Sequence, residues 1–112
     1  MGLDLIKKST HSTQKKQEKR VASRIGGKRQ VASGSRYWAK GDAVSDELLV
    51  DAKQTEKKSI SITTKMIEKV NDEAIANDKV PAISVEFLNI GRLAEKDWIL
   101  VPMWHYEEVI DR

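Results

Sequence analysis

The chain has 112 residues, a third of them charged and 39% hydrophobic, enough for one domain with a modest core. It holds no cysteine, which excludes disulfides, thiolate metal sites and cysteine nucleophiles, and with only His11 and His105 a histidine-rich metal centre is not expected. The net charge of +3 conceals an asymmetry: residues 1–40 carry 11 Lys/Arg against 2 Asp/Glu, and residues 41–112 carry 9 against 15.

A basic first third before an acidic remainder suggests a polyanion laid along one edge, although a solvated basic helix would look the same. No apolar run approaches the roughly 18 residues that cross a bilayer, and no signal-peptide core follows Met1. A cytoplasmic protein with no membrane partner is expected.

In chain order, residues 1–12 read as a loose or partner-dependent arm before a single domain over 13–112. Ser12 or Thr13 can cap a helix over Gln14–Ile25, which Gly26-Gly27 would stop. Residues 28–37 read as a strand start followed by a Ser-Gly-Ser loop. Asp42–Val44, a bend at Ser45–Glu47 and the apolar Leu48–Lys53 read as a hairpin. Ser59–Ile62 either extends the sheet or leads into a helix, capped by Thr63 or Thr64, with Met66, Ile67, Val70 and Ala74 inward. Val80–Phe87 and Trp98–Met103 are two further strands, and His105–Ile110 a last turn of helix. This order fits an α/β fold with a mixed central β-sheet flanked by helices.

Chemistry concentrates at Gly41-Asp42 and, nine residues beyond Asp42, at Asp51-Ala52-Lys53. Residues two apart in a strand share a face, so Asp51 and Lys53 project together, roughly 6.5–7 Å apart. A bend at 45–47 pairs Val44 with Leu49 and sets Asp42 opposite Asp51, with Cβ atoms about 4.5–5.5 Å apart. Two like charges at that distance need a cation. With the Ala52 carbonyl they form an oxygen-ligand set suited to Mg²⁺ or Mn²⁺, beside which Lys53 can orient water or steady developing phosphoryl charge. On the first helix Glu18, Val21, Ala22 and Ile25 fall on one face, which turns Glu18 toward the same place. Each signal has a plainer reading: an Asp-x-Lys pair facing solvent, a Gly-Asp turn, or Glu18 paired along its helix with Lys15 or Arg20.

The stretches QEKRVASRIGG, ASGSRYWAKGD and ELLVDAKQTEKKSISI together resemble the small PD-(D/E)XK nucleases, in particular archaeal-type and bacteriophage Holliday-junction resolvases, over about residues 14–87. The resemblance implies a restriction-endonuclease-like core with an active site of Glu18, Asp42, Asp51 and Lys53, and metal held by Asp42, Asp51 and the Ala52 carbonyl, with Glu18 joining directly or through water. It places the Ser33-Gly34-Ser35 loop near DNA and implies a homodimer cutting opposite strands of a four-way junction. Gly41 departs from the motif's proline, and Asp51 stands where relatives more often have glutamate. On this reading Arg20, Arg24, Lys28, Arg29, Arg36 and Lys40 contact phosphates, Ser33 and Ser35 lie beside them, and Tyr37 and Trp38 either stack on a base or pack. Trp98 and Trp104 are expected in the core or a subunit interface. Another nuclease of the same type, or a basic nucleic-acid-binding module without activity, would carry much of the same pattern.

Overall fold

The computed structural model describes residues 2–29 and 41–112, with side chains from Ser12 onward. Helix α1 (Gly2–Arg24) is followed by β1 (Lys28–Arg29), β2 (Ala43–Val44) and β3 (Leu48–Thr55). Then come α2 (Thr64–Ala76), β4 (Val80–Phe87), β5 (Asp97–Leu100) and α3 (Met103–Ile110). The strands form one five-stranded sheet in the order β1-β2-β3-β4-β5. Only β3 and β4 run parallel, joined through α2, so the sheet is mixed and helices flank it. The α/β class with a mixed central sheet is therefore the observed one.

Strand periodicity divides the core between the two faces. Val50, Ala43 and Ala82 pack under Val21 and Ala22 of α1, while Leu49, Ile83 and Val85 pack under Val70 and Ala74 of α2. Strand β4 has apolar residues on both faces and buries Ala82 to Glu86 without interruption, as a strand covered by helices on both sides must. Helix α2 starts where the sequence indicates, the Thr63 hydroxyl accepting from the Met66 amide at 3.2 Å. Gly26, at φ +71°, ends α1. The amides of Gly26 and Gly27 return to the Ser23 and Ala22 carbonyls at 3.2 and 2.8 Å, the paired bonds that close a helix on a left-handed glycine.

Several expectations give way. The helix expected from Gln14 begins at Gly2, so Ser12 and Thr13 lie within α1 rather than at its start. Of the two readings of Ser59–Ile62 the extended sheet is lost and the lead into a helix holds: it is loop up to the Thr63 cap, with Ile60 and Ile62 packed against the α2-side core. Ile67 is 39% exposed on the flank of α2, outside the stripe of Met66, Val70 and Ala74. Trp98 and Trp104, at 51% and 50% exposed, do not fill the core. Among the described residues no helix is long and apolar enough to cross a membrane.

Candidate active site

The site grows out of the β2–β3 hairpin. Ser45 makes the bend: its amide donates to the Leu48 carbonyl at 2.9 Å and its hydroxyl accepts from the Leu48 amide at 2.9 Å. That short turn fixes Val44 against Leu49 and Ala43 against Val50, the register the sequence predicts. One residue back, the Asp42 amide donates to the Val50 carbonyl at 2.8 Å. The Asp42 Oδ2 accepts from the Ala52 amide at 2.7 Å, replacing the strand partner that β2 is too short to supply. Even-numbered residues of β3 thus turn their polar backbone toward β2, and the Ala52 carbonyl lies along the same edge as the Asp42 carboxylate. Gly41 adopts φ +92°, a conformation closed to proline, and a Cβ there would come within 2.7 Å of Leu49 Cδ2. The departure from the motif's proline therefore has a backbone reason.

Asp42, Asp51 and Lys53 lie side by side here, and Glu18 stands near enough to act on Asp42 through its charge. Lys53 Nζ stands 3.2 Å from Asp51 Oδ2 on the shared strand face. Asp42 is pushed up from its ordinary 3.8 to about 6, chiefly by burial and further by the Asp51 carboxyl and the nearby Glu18, against the opposing pull of the Ala52 amide. Glu18 reaches in from α1 and is tied to β1 by Arg29, whose Nε donates to Glu18 Oε1 at 2.9 Å.

Among the described residues no three acidic or histidine side chains gather closely enough to enclose a metal ion. Asp42, Asp51 and the Ala52 carbonyl are the groups that would hold a magnesium-type ion, which takes one or two carboxylates and fills its sphere with water and phosphate. The raised Asp42 marks a place where positive charge would be favourable.

The basic residues are arranged differently from the expectation. Arg20 donates from Nε and Nη2 to both Asp97 oxygens at 2.9 Å and meets Glu86 Oε2 at 2.9 Å, so it serves the interior of the α1 face rather than a phosphate. Arg24 is engaged by Glu95 at 2.6 Å. Both guanidiniums are engaged by a carboxylate cluster contributed by β4, β5 and the residues before β5. Lys28 is exposed and Arg29 half-buried on Glu18. Ser33, Ser35, Arg36 and Lys40, with Tyr37 and Trp38, lie outside the described residues.

Two glutamines were not anticipated. Gln17, 1% exposed, donates from Nε2 to the Lys53 carbonyl at 2.7 Å. Gln54 donates to the Thr13 carbonyl at 3.0 Å and to buried Glu86 at 2.7 Å. Together they clamp α1 onto β3 beyond its last pair with β2. The signal was present: Gln17, Val21 and Ile25 are spaced four apart, the same stripe that carries Glu18 inward. Compared with protein-family models and with curated proteins, the chain matches none.

Proposed function

We propose that this chain is a metal-dependent endonuclease of the PD-(D/E)XK type that makes paired nicks in branched DNA, with four-way junctions as the preferred substrate. The observation that carries the reading is the pair of carboxylates, Asp42 and Asp51, held together at the open end of the β2–β3 hairpin with Lys53 on the second. Mg²⁺ or Mn²⁺ held by Asp42, Asp51 and the Ala52 carbonyl would supply a Lewis acid on the phosphate and an acidified water. Asp42 is fixed by its bond to the Ala52 amide, so its free oxygen keeps one direction. Lys53 carries positive charge to the same spot, where it steadies the charge that builds on the phosphoryl oxygens. Gln17, bonded to the Lys53 carbonyl, holds that stretch of β3 against the helix that delivers Glu18.

Lys28 and Arg29, with Ser33, Ser35, Arg36 and Lys40, supply the DNA contacts. Such contacts give affinity and register without sequence, so recognition rests on DNA shape and weakens with salt. Symmetric cutting requires two copies of the site and hence a homodimer.

The test is incubation of end-labelled four-way junction, linear duplex and flap DNA with the protein, with and without Mg²⁺, beside Asp51→Asn. Paired junction nicks that vanish with the substitution are expected. Cutting of all three substrates would make it a nuclease of broader range. Tight junction binding with no cutting in Mg²⁺ or Mn²⁺ would leave a DNA-binding module and end the enzyme reading.

A further inference from the structure

The last strand of the sheet presents a surface that the fold leaves uncovered. Trp98, Ile99 and Leu100 of β5 are 51%, 47% and 42% exposed. Trp98 and Leu100 stand opposite Val85 and Ile83 on the α2 side, and Ile99 opposite Ser84 on the α1 side, so β5 is apolar on both faces. Helix α3 follows directly on β5, and its Met103, Tyr106 and Ile110 recur at i, i+3 and i+7 and are 72%, 56% and 61% exposed. This helix is anchored from another side, by buried His105, whose Nε2 is 4.0 Å from Glu47 Oε2, and by the Arg112–Glu47 ion pair.

The hydrogen-bonding edge of β5 is open at one place. The Phe87 amide donates to the Lys96 carbonyl at 3.0 Å, which turns Lys96, Trp98 and Leu100 toward β4 and leaves the backbone of Asp97 and Ile99 facing outward. The Asp97 amide is already taken by Glu95 Oε2 at 3.1 Å, and the next outward residue, Val101, lies past the end of β5 at Leu100. The Ile99 N–H and C=O remain between those two stops.

We infer that β5 and α3 form a homodimer interface in which two β5 strands pair antiparallel about a two-fold axis centred on Ile99. A two-fold contact must be self-complementary. Here Ile99 exchanges both backbone bonds with the partner's Ile99, while Trp98 of each copy meets Leu100 of the other on the α2 face. The α3 stripes cover the seam. At ~150–250 Å² for a large side chain, these six at their exposed fractions offer roughly 600 Å², before the strand backbone and half-exposed Trp104 are added. A standard stable interface buries about 800 Å² on each partner, so a second copy of the same face supplies what this one lacks. The dimer would carry a continuous ten-stranded sheet. Its two β3 strands would lie five strand spacings apart, about 24 Å at ~4.8 Å each. The inference stands on the apolar face and holds whether or not the chain cuts DNA.

The absence of cysteine makes the test direct. Residues opposed in a hydrogen-bonded antiparallel pair have Cα atoms about 5.5 Å apart, within the ~4.4–6.8 Å that a disulfide spans. Ile99→Cys should therefore give a covalent dimer on mild oxidation, while Lys65→Cys on exposed α2 should not. The unsubstituted protein should sediment as a dimer at micromolar concentration. Met103→Glu with Ile110→Glu should raise its dissociation constant at least a hundredfold with the far-ultraviolet circular dichroism unchanged. A monomer at tens of micromolar would overturn the inference. So would a dimer that neither cross-links through position 99 nor weakens with the α3 pair, since its interface would lie elsewhere.

Discussion

Burial, the Asp51 carboxyl and Glu18 together raise Asp42 from 3.8 to about 6, and the sign of that shift has a consequence for stability. Between about pH 4 and 6 the folded chain holds a proton that the unfolded chain releases, so this group's contribution falls as pH rises and the penalty is complete above about 6. Asp42→Asn keeps an acceptor for the Ala52 amide and removes the charge. In EDTA at pH 7.5 it should stabilise the protein by about 1–2 kcal/mol, the shift being discounted for a half-exposed group. At pH 3.5, where Asp42 is protonated in the fold and mostly protonated when unfolded, the two proteins should melt within about 0.5 kcal/mol of each other. Equal differences at both pH values, read by thermal melts, would show that the carboxylate is not strained. Arg20 illustrates the opposite balance. Its guanidinium answers Asp97 and the 1%-exposed Glu86; Arg20→Gln leaves both carboxylates short of charge and should cost about 3 kcal/mol. Adding Glu86→Gln should recover part of that loss in urea titrations. A single-variant cost below about 0.5 kcal/mol would mean that water already solvates the cluster.

Elements differ in how far they can be read from residues alone, and the difference follows what stabilises each. Strands β3 and β4 are legible because they are apolar runs bounded by turns, and α2 because Thr63 precedes an apolar stripe. Thr63→Ala should cost about 1 kcal/mol. The start of α1 is not legible: residues 2–13 show neither a helical apolar period nor a cap at their beginning. Three residues beyond the end of α1, Gly27 approaches the hairpin so closely that a Cβ would sit 2.1 Å from the Val44 carbonyl oxygen. Gly27→Ala should therefore cost well above the ~1 kcal/mol typical of point substitutions, and a cost under that value in chemical denaturation would contradict the close approach. The candidate site was readable at Asp42, Asp51 and Lys53 because a short turn fixes the register and the strand period fixes the face. The ion pairs of Arg20 are not legible because its partner Asp97 lies 77 positions away, and nothing local in α1 distinguishes a half-buried arginine from a solvated one. Gln17 was missed because a polar residue on an apolar stripe shows its purpose only when the Lys53 carbonyl opposite is known.

At the scale of the whole molecule the two readings meet in a prediction that neither makes alone. If the sites act independently, a chain lacking activity reduces cutting in proportion to its share. If two sites belong to one dimer joined at β5, separated by five strand spacings or about 24 Å, a mixed dimer binds a junction normally and cuts only one strand. The discriminating substrate is a supercoiled plasmid that extrudes a cruciform. Two cuts within one binding event give linear DNA, and one cut releases the supercoil, reabsorbs the cruciform and leaves a nicked circle. Unsubstituted chain mixed with a tenfold excess of Asp51→Asn should shift the product from linear to nicked circle. Carrying Ile99→Cys on the active chain alone, dimerised by oxidation before the inactive chain is added, should abolish that shift because subunits can no longer exchange. A linear fraction that stays constant while total cutting declines would mean that each cut is made by an independent chain, and the paired-site dimer would have to be abandoned even if the nuclease remained.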